Sequence, residues 1–104
     1  MQNSTYNAGM NAFNQGKLDE AYEWFMKSPE DAGCQYALGI MHYNGEGATK
    51  SYKLSTQFFT KAADQGDLPS IITLGEIYAM NRGGGNRDEA AKMLKPLIND
   101  QHNE

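Results

Sequence analysis

Apolar residues recur along the chain with the spacing of an α-helix. Intervals of three and four residues place side chains on one face of a helix and predict an amphipathic segment. No segment shows sustained alternation of apolar and polar positions with β-branched residues, so no sheet is predicted. The helical stripes fall in six segments: Tyr6, Gly9, Met10 and Phe13; Leu18, Ala21, Tyr22 and Phe25; Tyr36, Gly39, Ile40 and Tyr43; Leu54, Phe58 and Ala62; Ile71, Leu74, Gly75 and Tyr78; and Ala90, Ala91, Leu94, Leu97 and Ile98.

Glycine and proline separate these stripes and predict six helices arranged as three hairpins. Both residue types interrupt helices, glycine through its conformational freedom and proline through its missing amide donor. In the last predicted helix, Pro96 should kink or end the helix near Lys95. The separators are Gly16, Pro29 to Gly33, Gly45 with Gly47, Gly66 with Pro69, and Gly83 to Gly85.

The hairpins repeat in sequence. The segment "YALGIMHYNGEG" aligns with "ITLGEIYAMNRGGG", so that Gly39 matches Gly75 at an offset of 36 residues and Gly47 matches Gly83. Gly9 belongs to a weaker copy, 30 residues before Gly39. A hairpin of this length cannot bury its apolar face alone, and stacking of neighbours does so. We predict one domain over residues 1–104, with repeats at 4–31, 32–67 and 68–99 and a short polar tail at 100–104.

The middle repeat resembles the Sel-one-like repeat, a relative of the tetratricopeptide repeat. The third repeat keeps part of the pattern but has Asn81 at the first turn glycine, and the first repeat looks more like a tetratricopeptide unit with a shorter turn at Gly16. The resemblance implies a right-handed α-solenoid that binds a protein or peptide on its concave face. In the middle repeat the pattern is carried by Leu38, Gly39, Gly45, Gly47, Lys61, Ala62, Ala63 and Gly66.

The glycine-rich segment "YNGEGATKS", residues 43–51, has two interpretations. A phosphate-binding loop needs glycine directly before Lys-Ser, because the backbone amides of that loop surround the phosphates. Thr49 occupies that place, and no predicted strand precedes the segment. The second interpretation is a turn between two helices, in which glycine supplies a positive φ. We favour the turn, and a nucleotide-binding enzyme is the less favoured alternative.

The sequence contains no recognisable catalytic or metal-binding pattern. His42 and His102 are the only histidines, and no Cys/His spacing fits a metal site. Cys34, the single cysteine, would need a positioned base to act as a nucleophile. We favour a small apolar core residue near a helix start at this position. The expected class is therefore a non-enzymatic protein without cofactor or metal.

Charge and hydropathy narrow the partners and the compartment. The formal net charge is −4, and the nine basic residues are scattered, which argues against nucleic acid as a partner. The first ten residues show no basic segment followed by an apolar run, and no apolar run approaches the roughly 20 residues that cross a bilayer. We expect no signal peptide, no membrane association and a cytoplasmic location.

The first helix of each hairpin should line the concave face, by analogy with stacked helical repeats. In some relatives Lys and Asn on the first unit hold the C-terminal carboxylate of a peptide, but Tyr6 and Met10 stand at those places here. An extended or helical segment with apolar side chains is the expected ligand. Alternatively, the aromatic and apolar side chains pack on each other. The candidate binding residues are Tyr6, Met10, Phe13, Asn14, Tyr36, Ile40, Tyr43, Asn44, Ile72, Glu76 and Met80.

The asparagines, the last helix and the overall charge each carry one further expectation. Asn3, Asn7, Asn11 and Asn14 follow one side of the first helix, where they form either a polar cap or a contact strip, and we favour the cap. The apolar residues of the last helix suggest weak self-association. The small size and acidic charge also fit a dedicated inhibitor, such as a bacterial toxin-immunity protein, as an alternative to a general adaptor.

Overall fold

The computed structural model describes residues 4–80, which form five α-helices and no strand. The predicted all-helical fold is therefore confirmed for this part of the chain. The sixth helix with Pro96, the turn at Gly83 to Gly85, His102 and the surface expected to self-associate lie outside the described residues. The helices are α1 (Ser4–Asn14), α2 (Leu18–Met26), α3 (Ala32–Asn44), α4 (Tyr52–Asp64) and α5 (Leu68–Ala79).

Three helices begin with a side chain that caps their amides. Asp31 Oδ2 accepts from Cys34 N at 2.9 Å, and Asp67 Oδ2 accepts from Ser70 N at 3.1 Å. Ser51 Oγ accepts from the amide of residue 54 at 3.1 Å at the start of α4. Such caps satisfy amides that lack an intrahelical partner. Asp31 and Asp67 are 36 residues apart, the offset of the repeat, so the cap is part of the repeating unit.

Glycine allows the two helices of each hairpin to pack closely. A Cβ built at Gly9 would lie 2.6 Å from Cδ1 of Phe25 on α2. A Cβ built at Gly39 would lie 2.7 Å from Cδ1 of Phe59 on α4. Both distances are shorter than a real Cβ contact, and both phenylalanines are fully buried. The glycines in α1 and α3 are therefore fixed by the ring that lies against them.

The hairpins are joined by packing of α2 on α3 and of α4 on α5. One core cluster lies within the first repeat and the start of the second, and the other connects α4 with α5. The stripe predicted for α4 is wrong in one respect, since Leu54 is 36% exposed. Phe58 and Ala62 of this stripe do pack inward, and the helix also buries Phe59 and Ala63, because it meets both α3 and α5.

The segment 45–51 is the joint between α3 and α4. Gly45 ends α3 in the left-handed conformation, with φ at 72°. Gly47, at φ 68°, lies against the first turn of α2, where an added Cβ would be 2.7 Å from Leu18 O. The amide of Ser51 donates to His42 O at 2.9 Å, and the Ser51 hydroxyl caps α4. The glycines thus serve a reversal of direction and a close contact with the previous repeat.

His42 holds this joint in place from inside the fold. Its side chain is 4% exposed and stacks on Phe58, with ring centroids 5.6 Å apart and planes 7° from parallel. His42 Nδ1 lies 2.8 Å from Thr49 O, and Nε2 lies 3.0 Å from the Tyr22 hydroxyl. Because a carbonyl only accepts, Nδ1 donates to Thr49, and in the neutral ring Nε2 accepts from Tyr22. The imidazole therefore connects α2, α3, α4 and the joint.

The contact between Gly39 and Phe59 makes a testable prediction. Alanine raises helix propensity by about 1 kcal/mol over glycine, but overpacking a core costs about 1–3 kcal/mol. We expect Gly39→Ala to lower the free energy of unfolding by about 1–2 kcal/mol in urea titrations, and Gly9→Ala to do the same through Phe25. In a Phe59→Leu background, Gly39→Ala should lose this cost. A Gly39→Ala protein more stable than the wild type would contradict the close packing.

Candidate functional site

An apolar cleft of about 290 Å³ opens between α1 and α3. Its walls are aromatic and aliphatic, and α2 supplies one further residue. Pockets for small-molecule ligands usually start near 300 Å³, so this cleft has room for one or two side chains of a partner. The lining residues are Tyr6, Met10, Phe13, Phe25, Tyr36, Ala37 and Ile40.

Five of the eleven candidate binding residues are brought together here. Tyr6 and Tyr36 occupy the same register, three residues before the glycines of their helices, and Met10 and Ile40 follow those glycines. Tyr6 packs near Phe25 with ring centroids 6.1 Å apart, and Tyr36 packs near Phe59 at 5.6 Å. All but the two core phenylalanines are partly exposed. The alternatives of groove and mutual packing therefore both describe part of these side chains.

The other candidates in the first two repeats lie outside the cleft. Tyr43 is partly buried and packs near Tyr52 of α4, with ring centroids 5.0 Å apart. Asn44 is exposed, and its Nδ2 donates to Glu46 Oε1 at 3.1 Å within the following turn. Asn14 is exposed at the end of α1. These three residues flank the cleft at the ends of α1 and α3.

The candidates on α5 form a separate exposed surface. Ile72 is 48% exposed, Met80 is 53% exposed, and Glu76 is also exposed. None of them lines the cleft between α1 and α3. The apolar cleft is therefore a feature of the first two repeats.

Two residues of the cleft were not among the candidates. The apolar stripe of α2 predicts a core position for Phe25, and its fully buried ring packs against Gly9 and also forms part of the cleft lining. Ala37 lies beside Tyr36, and its small side chain leaves space between α1 and α3. A pairing of helix glycines with the two phenylalanines would have identified Phe25. No sequence signal marks Ala37.

The described asparagines of α1 lie on an exposed side of the helix. Asn7, Asn11 and Asn14 are exposed, and Asn3 lies outside the described residues. At the equivalent positions of α3, 30 residues later, Ala37 and Met41 pack against the first repeat. The asparagines therefore occupy the positions that contact a preceding repeat in α3. The polar cap stays a prediction.

The walls of the cleft carry no formal charge. Neither α1 nor α3 contains Asp, Glu, Lys or Arg, and Glu76 is the one such residue in α5. The charges of the described helices are concentrated on α2 and α4, on residues Asp19, Glu20, Glu23, Lys53, Lys61 and Asp64. Burial, with further contributions from Cys34, Asp31 and Asp67, raises the pKa of the Tyr6 phenol. Tyr6 therefore stays neutral at physiological pH.

The described residues show no arrangement suited to catalysis by Cys34. Its side chain is fully buried, and burial together with the Asp31 carboxylate raises the pKa of the thiol to about 12. A thiol with this pKa is protonated at neutral pH and is a poor nucleophile. Within residues 4–80 there is also no group of three His, Cys, Asp or Glu side chains that could hold a metal ion. Every buried polar side-chain atom in that range has a hydrogen-bond partner.

Known proteins share both a sequence repeat and the fold of this chain. Residues 32–67 match the family model "Sel1 repeat". A Sel1 repeat protein from Oxalobacter formigenes, known from its crystal structure, superposes with a TM-score of 0.82 over 91% of this chain at 24% identity. We assign the chain to the Sel1-like repeat family. Sel1 repeats are generally protein–protein interaction modules, and the family is typically non-enzymatic.

The relatives are much longer than this Sel1-like chain. HRD3A of Arabidopsis thaliana, an ERAD-associated E3 ubiquitin-protein ligase component, is 32% identical over 82 residues. That alignment covers 76% of this chain and 12% of HRD3A. The chain likewise covers 40% of the Oxalobacter protein. Among the described helices, none has the length and apolar content needed to cross a membrane.

The environment of Cys34 predicts how stability depends on pH. The unfolded thiol ionises near pH 9, whereas the folded thiol keeps its proton to about pH 12. The folded state then binds more protons, so the unfolding free energy falls with rising pH in this window, by at most about 1.4 kcal/mol per pH unit. We expect urea titrations between pH 8 and 11 to show this fall in the wild type.

Cys34→Ser is the matched control. Ser70, 36 residues later, is also fully buried, and its hydroxyl donates to Asp67 Oδ2 at 2.6 Å. A serine at position 34 should bond Asp31 in the same way and lack the thiol titration. The difference in unfolding free energy between the two proteins should therefore shift by about 1 kcal/mol or more in favour of Cys34→Ser. An equal pH dependence in both proteins would show that the thiol is not protected.

Proposed function

We propose that this Sel1-like chain is a non-catalytic interaction module that binds a segment of another protein in the cleft between α1 and α3. The observation that carries the proposal is the convergence of two repeats on one apolar cleft. Tyr6 and Met10 come from α1 of the first repeat, Tyr36 and Ile40 come from α3 of the second, and all four stay partly exposed. Tyrosine is enriched among residues that anchor protein interfaces.

The packing supports a binding surface that exists before the partner arrives. Gly9 and Gly39 lie against fully buried phenylalanines, so the floor under the cleft is rigid. Tyr6 and Tyr36 rest on those same rings. A preformed site loses less conformational entropy on binding than one that must be ordered. An extended or helical segment can then contribute one apolar side chain without reorganising the repeat.

The comparisons support the class of partner. Sel1 repeats generally bind proteins, and HRD3A is a component of a ubiquitin ligase, which is a protein assembly. The chain spans only 12% of HRD3A, so the ligase itself is not proposed as the partner. We propose an adaptor function in which α1, α3 and α5 line the concave face of the solenoid. The family resemblance implies that this solenoid is right-handed.

Peptide-display selection with matched variants tests this function. Random peptides of about 12 residues would be selected on the immobilised wild type and on Met10→Gln, which keeps the side-chain length and helix propensity but makes the cleft wall polar. Met26→Gln is the control, because Met26 is 42% exposed on α2 and outside the cleft. We expect enriched peptides to lose about tenfold or more in affinity on Met10→Gln and to keep their affinity on Met26→Gln.

Two further measurements keep this test decisive. Circular dichroism and urea unfolding of both variants should match the wild type, so that lost binding is not lost folding. Tyr36→Ala, on the opposite wall, should weaken the same peptides. Peptides that bind all variants equally, or a selection that enriches nothing, would contradict binding in this cleft.

A further inference from the structure

We infer that the cleft binds an uncharged apolar side chain from within a partner segment and does not bind a C-terminal carboxylate. This inference rests on the proposed function and specifies its ligand. The charge preference depends on the charged groups around the cleft as well as on its apolar lining.

Within residues 4–80, neither wall of the cleft carries a Lys or Arg that could face the ligand. The two helices that form the walls, α1 and α3, contain no Lys or Arg, and the one histidine of α3, His42, is buried against Phe58 on the other side. A carboxylate entering the cleft would lose its water without gaining a charged partner. Such an unpaired ion is far more costly to bury than a neutral group.

The Asp31 carboxylate lies near Tyr6, which lines one wall of the cleft. A Cβ built at Gly33 would lie 3.1 Å from both Asp31 Oδ2 and Tyr6 Cδ1, so this glycine lies between the capping carboxylate and the Tyr6 ring. The chain as a whole has a net charge of −4. The field near Tyr6 therefore repels a second anion, and like charges brought together without a cation are destabilising.

The volume of the cleft limits what can enter it. A volume of about 290 Å³ with walls of Tyr36, Ile40 and Met10 fits one large aliphatic or aromatic side chain and the backbone atoms next to it. This volume is too small for a nucleotide cofactor, because cofactor pockets are usually larger. The expected occupant is thus an internal leucine-like or phenylalanine-like residue with neutral neighbours.

Three fragments with one side chain test the charge preference directly. N-acetyl-leucine methylamide is neutral, N-acetyl-leucine is anionic and leucine methylamide is cationic at pH 6.5. Each would be titrated into the ¹³C-methyl-methionine protein, with the Met10 signal identified by its loss in Met10→Gln. For a neutral fragment of this size we expect a dissociation constant of the order of 1 mM. The anionic fragment should bind at least about tenfold more weakly.

A charge placed in the wall provides the converse test. Met10→Lys supplies the missing cation, so N-acetyl-leucine should then bind about tenfold more tightly than it binds the wild type. Met26→Lys adds the same charge outside the cleft and should leave all three titrations unchanged. Urea unfolding of both variants confirms that the fold is retained. Because Met10 lies on the partly exposed side of α1, folding is expected to tolerate the lysine.

The outcomes separate this inference from the proposed function. Equal or tighter binding of the anionic fragment to the wild type would overturn the inference, and so would an unchanged preference in Met10→Lys. Peptides selected on Met10-dependent binding that carry acidic residues at the anchor would overturn it while leaving the proposed function in place. A Met10 signal that moves with protein concentration alone, together with a dimer mass in sedimentation, would assign the cleft to a second copy of the chain.

Discussion

The close approach of two helices through a glycine is the constraint on which the rest of the structure depends. In each of the first two hairpins, a helix glycine faces a fully buried phenylalanine at a distance that no Cβ could share. The first connection has three residues and the second has seven, yet the phenylalanine meets the glycine in both. The longer connection places four more residues between Gly39 and Phe59 than separate Gly9 from Phe25. Packing at this contact, and not loop length, therefore sets the register of the hairpin.

This register determines which side chains of α1 and α3 remain partly exposed. With Gly9 and Gly39 turned towards the rings, Tyr6 and Tyr36 come to lie over the edge of the core, where they are neither buried nor fully exposed. The same rotation turns α2 and α4 so that their charged residues face away from the cleft walls, which carry none. An apolar cleft and a charged outer layer are thus two results of one packing arrangement. Repeat proteins build extended binding surfaces in this way, since each unit contacts its neighbours alone.

Polar side chains secure the connections between units. The side-chain Nε2 of Gln65, just after α4, donates to Glu30 O and to Gln35 Oε1, both at 2.9 Å, and Nε2 of the buried Gln35 donates to Pro29 O at 2.7 Å. These bonds join the connection before α3 to the end of α4. With His42 at the other end of the hairpin, they satisfy polar atoms that would otherwise destabilise the interior. These bonds fix the ends of the two helices of the second repeat.

Much of this architecture followed from the sequence because it depends on local rules. The five described helices, the glycine reversals and the Sel1-like pattern from Leu38 to Gly66 are set by helical spacing and by backbone freedom, which each segment carries in itself. The exposure of Leu54 on α4 was not predicted, because Leu54 has helical spacing with Phe58 and Ala62. Only the positions of α3 and α5 determine which part of this helix surface is covered. The cleft depended on tertiary structure in the same way. Tyr6 and Tyr36 share it because two helices 30 residues apart meet, whereas Ile72 has the same register in α5 and lies outside it. Periodicity determines which side of a helix is apolar, and only the contact between helices decides which part of that side is covered and which part remains open to a partner.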